Sequence, residues 1–122
     1  MGRTTLLLGV ALLALGAAQP AEAKPERRCG WLMNPTPANW WLLDRDGEWV
    51  LSTQGREPVA GMDDIPDMST RGWVERNGHY GYGCACLTLE TDAAARRVLR
   101  VIAAEPLPLS RCRSDRALPA PG

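Results

Sequence analysis

The run Asn77–Glu90, NGHYGYGCACLTLE, decides how this chain folds. It opens on Asn-Gly, the dipeptide that best tolerates the positive φ of a tight type I′ hairpin turn. Beyond it, small and large residues alternate, and successive side chains of a strand point to opposite faces. One face then carries Tyr80, Tyr82, Cys84, Cys86 and Thr88. The other carries His79, Gly81, Gly83, Ala85, Leu87 and Leu89. Glycines inside a strand mark a close approach by another backbone or a large ring. Five tryptophans and no phenylalanine supply such rings.

Outward from this strand the chain divides at turn signals. Trp73–Arg76 forms the other arm of the hairpin, with Arg76 expected opposite His79, Glu75 opposite Tyr80 and Trp73 opposite Tyr82. A second hairpin folds about Asp46-Gly47. It places Arg45 opposite Glu48, Leu43 opposite Val50, Leu42 opposite Leu51 and Trp41 opposite Ser52. Trp40, Leu42, Trp49 and Leu51 share its apolar side. Trp41 falls on the mixed side with Arg45 and Glu48, exposed unless a loop such as 54–70 covers it. Downstream, Val98, Val101 and Ile102 are β-branched and prolines follow at 106 and 108. A strand from Arg97 onward is therefore expected over the short helix that Ala93–Arg97 would allow. The segment 54–70, rich in Gly, Pro and Asp, reads as a long loop, and Asn34–Pro37 and the tail from Leu118 read as irregular. The expected fold is mainly β: a small antiparallel meander or partly open barrel of about five strands.

The ends and the composition bound the setting. Arg3, the apolar run Leu6–Ala18 and the small residues Ala21 and Ala23 read as a secretory signal peptide over residues 1–23. The apolar run is shorter than the ~20 residues a membrane-spanning helix needs, so no stable anchor is expected after cleavage. A single β-domain over 24–122 and a periplasmic or secreted location follow. Without Arg3 and Glu22 the remaining 99 residues hold 13 basic and 13 acidic side chains. That balance offers nothing to draw the domain to nucleic acid. A domain of this size is marginal on its own core, and Cys29, Cys84, Cys86 and Cys112 read as a disulfide framework that stiffens it. Side chains at 84 and 86 point the same way but would close a strained ring, so each is expected to bridge to Cys29 or Cys112. Which goes to which stays open.

Motif chemistry is thin. A single Cys-x-Cys lacks the doubled pairs of zinc sites and the Cys-x-x-Cys of thiol oxidoreductases, so no metal or cofactor is expected. Asp44, Asp46, Glu48 and the group Asp63, Asp64 and Asp67 would serve a carboxylate hydrolase or calcium only if they converged in space. His79 has no Ser-His-Asp or His-Glu-x-x-His context.

Five segments taken together carry a family likeness: Arg28-Cys-Gly-Trp-Leu, Asn34-Pro-Thr-Pro-Ala-Asn-Trp-Trp-Leu, Asp44-Arg-Asp-Gly-Glu-Trp, Gly81-Tyr-Gly-Cys-Ala-Cys-Leu and Leu107-Pro-Leu-Ser-Arg-Cys-Arg. Over about Arg27 to Leu118 the chain resembles the bacterial domain-of-unknown-function family 4087. The resemblance implies a small exported bacterial protein and transfers no activity and no catalytic residue. The expected role is a non-catalytic binding or inhibitor module of the bacterial envelope, acting on an envelope protein or a glycan. Its candidate surface is Trp41, Trp31, Arg45 and Glu48, because indole faces suit sugar rings and protein hot spots. A small envelope hydrolase using Asp/Glu carboxylates, or a cysteine-based metal or redox protein, is the alternative.

Overall fold

The segment around Tyr80–Asp92 is the axis of the molecule. A computed structural model describes residues 24–122 together with Gly2 and residues 9–11. The signal-peptide reading of 1–23 lies, apart from those four residues, outside the described residues. Six antiparallel strands form one open sheet: β1 (Pro25–Thr36), β2 (Asn39–Asp44), β3 (Gly47–Ser52), β4 (Val74–Asn77), β5 (Tyr80–Asp92) and β6 (Arg97–Leu107). A five-residue helix, α1 (Leu109–Arg113), follows β6. No helix among the described residues is long and apolar enough to cross a membrane.

The strand order is β3-β2-β1-β5-β4, with β6 also paired to β5. β1 lines one side of β5 from Gly81 to Glu90. β4 and β6 share the other side, β4 at Tyr80–Tyr82 and β6 at Cys84–Asp92. The sheet curls until β6 comes near β3 without a ladder joining them. Two stitches hold that gap. The guanidinium of Arg96 donates to the carbonyl of Asp46 at 2.6 Å. The loop after β3 also threads between the edges, Val59 N–H donating to Leu51 and Ala60 accepting from Val101 N–H at 2.8 Å.

Both faces of the sheet are covered, which is why its central strands lose polar alternation. On one face Leu32, Leu42, Trp49, Leu51, Leu87 and Leu89 form the main core, with Met68 and parts of the 53–73 loop laid over it. On the other, Trp31, Met33, Tyr82 and Cys84 form a second cluster under Cys112, Leu109 and Leu118. Two disulfides tie these layers, Cys29–Cys86 between directly opposed residues of β1 and β5, and Cys84–Cys112 between β5 and α1. Every cysteine is thereby bonded, as suits an oxidising compartment.

The mainly β reading and the face assignments of β5 stand; three details are corrected. β1 runs through Asn34–Thr36, a stretch read as irregular from its prolines. The first hairpin is two residues off the expected register: Leu43 faces Glu48, Leu42 faces Trp49 and Trp41 faces Val50. Its two-residue loop is Arg45-Asp46, and Gly47 follows it at φ 115°, a backbone conformation that favours glycine, paired directly with Asp44. Arg45 and Glu48 are therefore not opposed. The second hairpin likewise pairs Asn77 with Tyr80 and Val74 with Tyr82, with a bulge between Glu75 and Asn77.

The glycine strip does what such a strip permits. A Cβ on Gly81 would run into the backbone carbonyl of Val74, and a Cβ on Gly83 would lie 2.9 Å from the Trp73 ring. Gly81→Ala is therefore expected to push β4 off β5 and to lower stability by about 1–3 kcal/mol in urea unfolding. A loss below about 0.5 kcal/mol would show that β4 yields at no cost.

Candidate functional site

Two concavities compete for the role of site. The first lies where β1 begins and β2 turns into β3, a polar pocket of about 290 Å³ lined by Glu26, Arg28, Asp44, Arg45, Asp46 and Asp115 among others. Three of its carboxylates converge on one arginine. Arg28 donates to Asp44 at 2.8 Å, to Asp46 at 3.0 Å and to Glu26 at 3.1 Å. Its guanidinium also lies 4.0 Å over the Trp49 ring, with Arg96 5.1 Å from the same ring. Burial works against the charge of Arg28, and the hydrogen bonds to its three carboxylates more than offset this, raising its pKa. The carboxylates are thus spent on one arginine, and this pocket reads as structure.

Glu26 is held below its ordinary carboxylate range, first by the hydroxyl of Thr91, which donates to it, and then by Arg28; partial burial opposes both. A carboxyl whose folded pKa is depressed contributes stability above its unfolded value and loses it as pH falls through the folded one. Below about pH 4.5 the protein is expected to lose this contribution, and Thr91→Val to lose less because it has less to lose. Urea midpoints at pH 7 and pH 3 for both proteins check this; an equal fall in the two would remove Thr91 from the account.

The second concavity lies at the far end of the main core. There β5 contributes only Gly81 and Gly83 to the core face, leaving a hollow that two indoles fill. Trp73, just before β4, lies on Gly83, and Trp40, at the start of β2, leans toward it. Their centroids are 6.4 Å apart and their planes tilted by 50°, within the range of favourable aromatic pairs. Trp73 is fixed further by its indole N–H, which donates to the carbonyl of His79 at 3.0 Å. Buried Met68 lies below, and Asp67, Ser69, Glu75 and His79 line the rest of an open pocket of about 260 Å³. Both indoles are half-buried, so each has a supported side and a wet one.

The polar groups of this pocket are legible in physical terms. Asp67 accepts from both the backbone N–H and the hydroxyl of Ser69, at 3.0 and 2.6 Å, and these bonds hold its carboxyl below the ordinary range. A general acid of a glycosidase needs the opposite shift. His79 lies 3.9 Å from Glu75 on a fully exposed turn. Among the described residues no group of three or more His, Cys, Asp or Glu is placed to hold a metal ion.

The residues singled out from sequence are placed differently. Trp31 is 4% exposed and meets Tyr82 edge-on at 5.3 Å, so only a sliver of its ring reaches solvent, in a concavity of about 280 Å³ under the α1 segment that covers its face. Trp41 is half-buried against the same cluster, sheltered by that face and not by the 54–70 loop, which covers the opposite one. Glu48 is exposed on β3 opposite Leu43, and Arg45 sits in the turn beside the Arg28 pocket. Cys29, Cys84, Cys86 and Cys112 serve as bridges. Trp40 is readable as a core-face residue, whereas Trp73 is expected opposite Tyr82 on the cysteine face and lies instead on Gly83 of the other face. Their meeting could not be read.

A protein-family model described as "Protein of unknown function (DUF4087)" matches residues 23–119. No curated protein and no solved structure matches the chain.

Proposed function

The chain belongs to the DUF4087 family, and since that membership brings no activity with it, we propose from the surface alone that the domain is a non-catalytic binding module. One observation carries this reading: the pair of half-buried tryptophans, Trp40 and Trp73, set at 50° over a glycine hollow and open to solvent. Such a pair presents apolar area at low entropic cost, and tryptophans of this kind dominate binding energies where they occur. The wet sides of the indoles are neither needed by the core nor covered by the 53–73 loop. The bacterial envelope is the proposed setting, supported by the leader-like first 23 residues and by the two disulfides. A protein or glycan of that compartment is the proposed partner.

Indole resonances of Trp40 and Trp73, followed by 15N-edited NMR during titration with neutral oligosaccharides and short peptides, test the reading. A ligand should shift both, and Trp40→Ala should weaken it by about 30-fold, the size of a hot-spot loss of about 2 kcal/mol. Shifts confined to other residues would move the site elsewhere. Retained disulfides in protein recovered from the envelope fraction would support the location, and recovery from the cytoplasm alone would count against it.

A further inference from the structure

The pocket's charge points to more than a generic aromatic surface. Its lining pairs two indoles with two carboxylates, Asp67 and Glu75, and holds no lysine or arginine among the described residues. Although the chain is neutral as a whole, this concavity holds two carboxylates against one histidine and is acidic. Indole faces attract cations through the ring quadrupole, and Trp does so best. Carboxylates at the rim add a Coulomb term of the same sign. A neutral sugar can stack on the indoles but draws nothing from the Coulomb term. An anion would be repelled by it.

Size and surroundings narrow the source of the cation. At about 260 Å³ the pocket is smaller than the ~300–1,000 Å³ that enclose a drug-sized ligand, and it matches the end of one side chain. Beside it runs β4, the last strand of the sheet order, carrying Glu75 into the pocket. Among the described residues β4 pairs with β5 alone, and no other backbone hydrogen bond reaches Val74–Asn77. An unpaired edge is a template for an extended chain. Resting on the binding-module reading above, we infer that the Trp40–Trp73 pocket takes the cationic side chain of a lysine or arginine from a partner polypeptide lying along β4. The indoles stack on the cation, and Asp67 and Glu75 flank it. A single cation–π contact is worth only about 0.5–2 kcal/mol, so the polypeptide around the cation must supply the rest of the affinity.

The probes are blocked pentapeptides Ser-Val-Xaa-Val-Ser in which Xaa is lysine, arginine, norleucine or glutamate, with a neutral trisaccharide as a further arm. Binding to the full domain is read from the indole N–H signals of Trp40 and Trp73. The lysine and arginine peptides should shift both signals. Norleucine should bind at least about tenfold more weakly, and glutamate should not bind. Asp67→Asn and Glu75→Gln, each checked for an unchanged spectrum, should weaken the lysine peptide by about two- to fivefold apiece. Raising salt from 0.05 to 0.5 M should weaken it as well. Norleucine binding as tightly as lysine, or the trisaccharide alone shifting the indoles, would overturn the cation assignment and leave a binding module standing. If no probe moves either indole at millimolar concentration, both readings fall.

Discussion

Arg28→Ala is expected to lower the stability of the domain by about 3–5 kcal/mol, a large share of the ~5–15 kcal/mol typical of such folds. The reason is Asp44, whose side chain is only 4% exposed and faces Arg28 at 2.8 Å. Without the arginine a carboxylate stays buried with one remaining partner, the backbone N–H of Asp46. The loss is not confined to charge. The guanidinium plane also covers Trp49, and three strands (β1, β2 and β3) meet at that ring and its carboxylate neighbours. Arg28→Lys should recover part of the stability, because an ammonium can neutralise Asp44 but cannot fork to Glu26 and Asp46 or lie flat on an indole. The cluster is already costly: the Nε–H of Arg28 and the indole N–H of Trp49 are buried without a protein acceptor. Removing both partners, as in Arg28→Met with Asp44→Leu, is accordingly expected to cost less than Arg28→Ala alone. Urea unfolding of the four proteins orders them. A double variant as unstable as Arg28→Ala would mean that the packing over Trp49, and not the stranded carboxylate, sets the loss.

The same cluster shows where the fold was legible and where it was not. β5 could be read because its small-large alternation survives burial, so the Gly81–Gly83 strip and the cysteine face both emerged from Asn77–Glu90. β1 could not. From Gly30 to Asn34 it is buried on both faces and shows no polar period, and the prolines at 35 and 37 resemble a loop boundary. Missing β1 hides the sheet order, because β1 is what places β2 two strands from β5. With it hidden, nothing brings Trp40 of β2 over the glycines of β5 to meet Trp73. The hairpin register failed for a different reason. Asp-Gly suits both a loop made of its own two residues and a loop one position earlier with the glycine just beyond it, and the sequence does not separate the two. The sorting of Trp40, Leu42, Trp49 and Leu51 onto one side survived that error. The pairing moved by two residues, and an even shift keeps the same side chains on the same face.

Removing the two disulfides one at a time is expected to give losses of similar size and different character. The bridges span 57 and 28 residues of chain, for Cys29–Cys86 and Cys84–Cys112 respectively. Loop-closure entropy alone assigns them about 4.2 and about 3.6 kcal/mol, each a loss that would leave this small domain close to unfolding at physiological temperature. By that measure Cys29→Ala with Cys86→Ala is the more harmful pair. In the folded state, however, those two residues face each other within a ladder that already runs from Pro25 to Asn34 along β5. Their bridge adds little that the ladder does not fix, so the variant should unfold more readily but open in the same all-or-none way. Cys84–Cys112 is different. It anchors α1, and the cover over Trp31, Met33 and Tyr82 otherwise depends on Leu109, Leu118 and a few turn hydrogen bonds. Without that anchor residues 108–122 are expected to open as a unit while the sheet stays folded, a sub-global opening of the kind seen where buried contacts are few. Amide exchange distinguishes the two. Cys84→Ala with Cys112→Ala should speed exchange selectively at 109–118 and leave the β1–β5 ladder protected, at a urea midpoint close to that of the other pair. Uniform acceleration in both variants would show that α1 and its cover hold by packing alone.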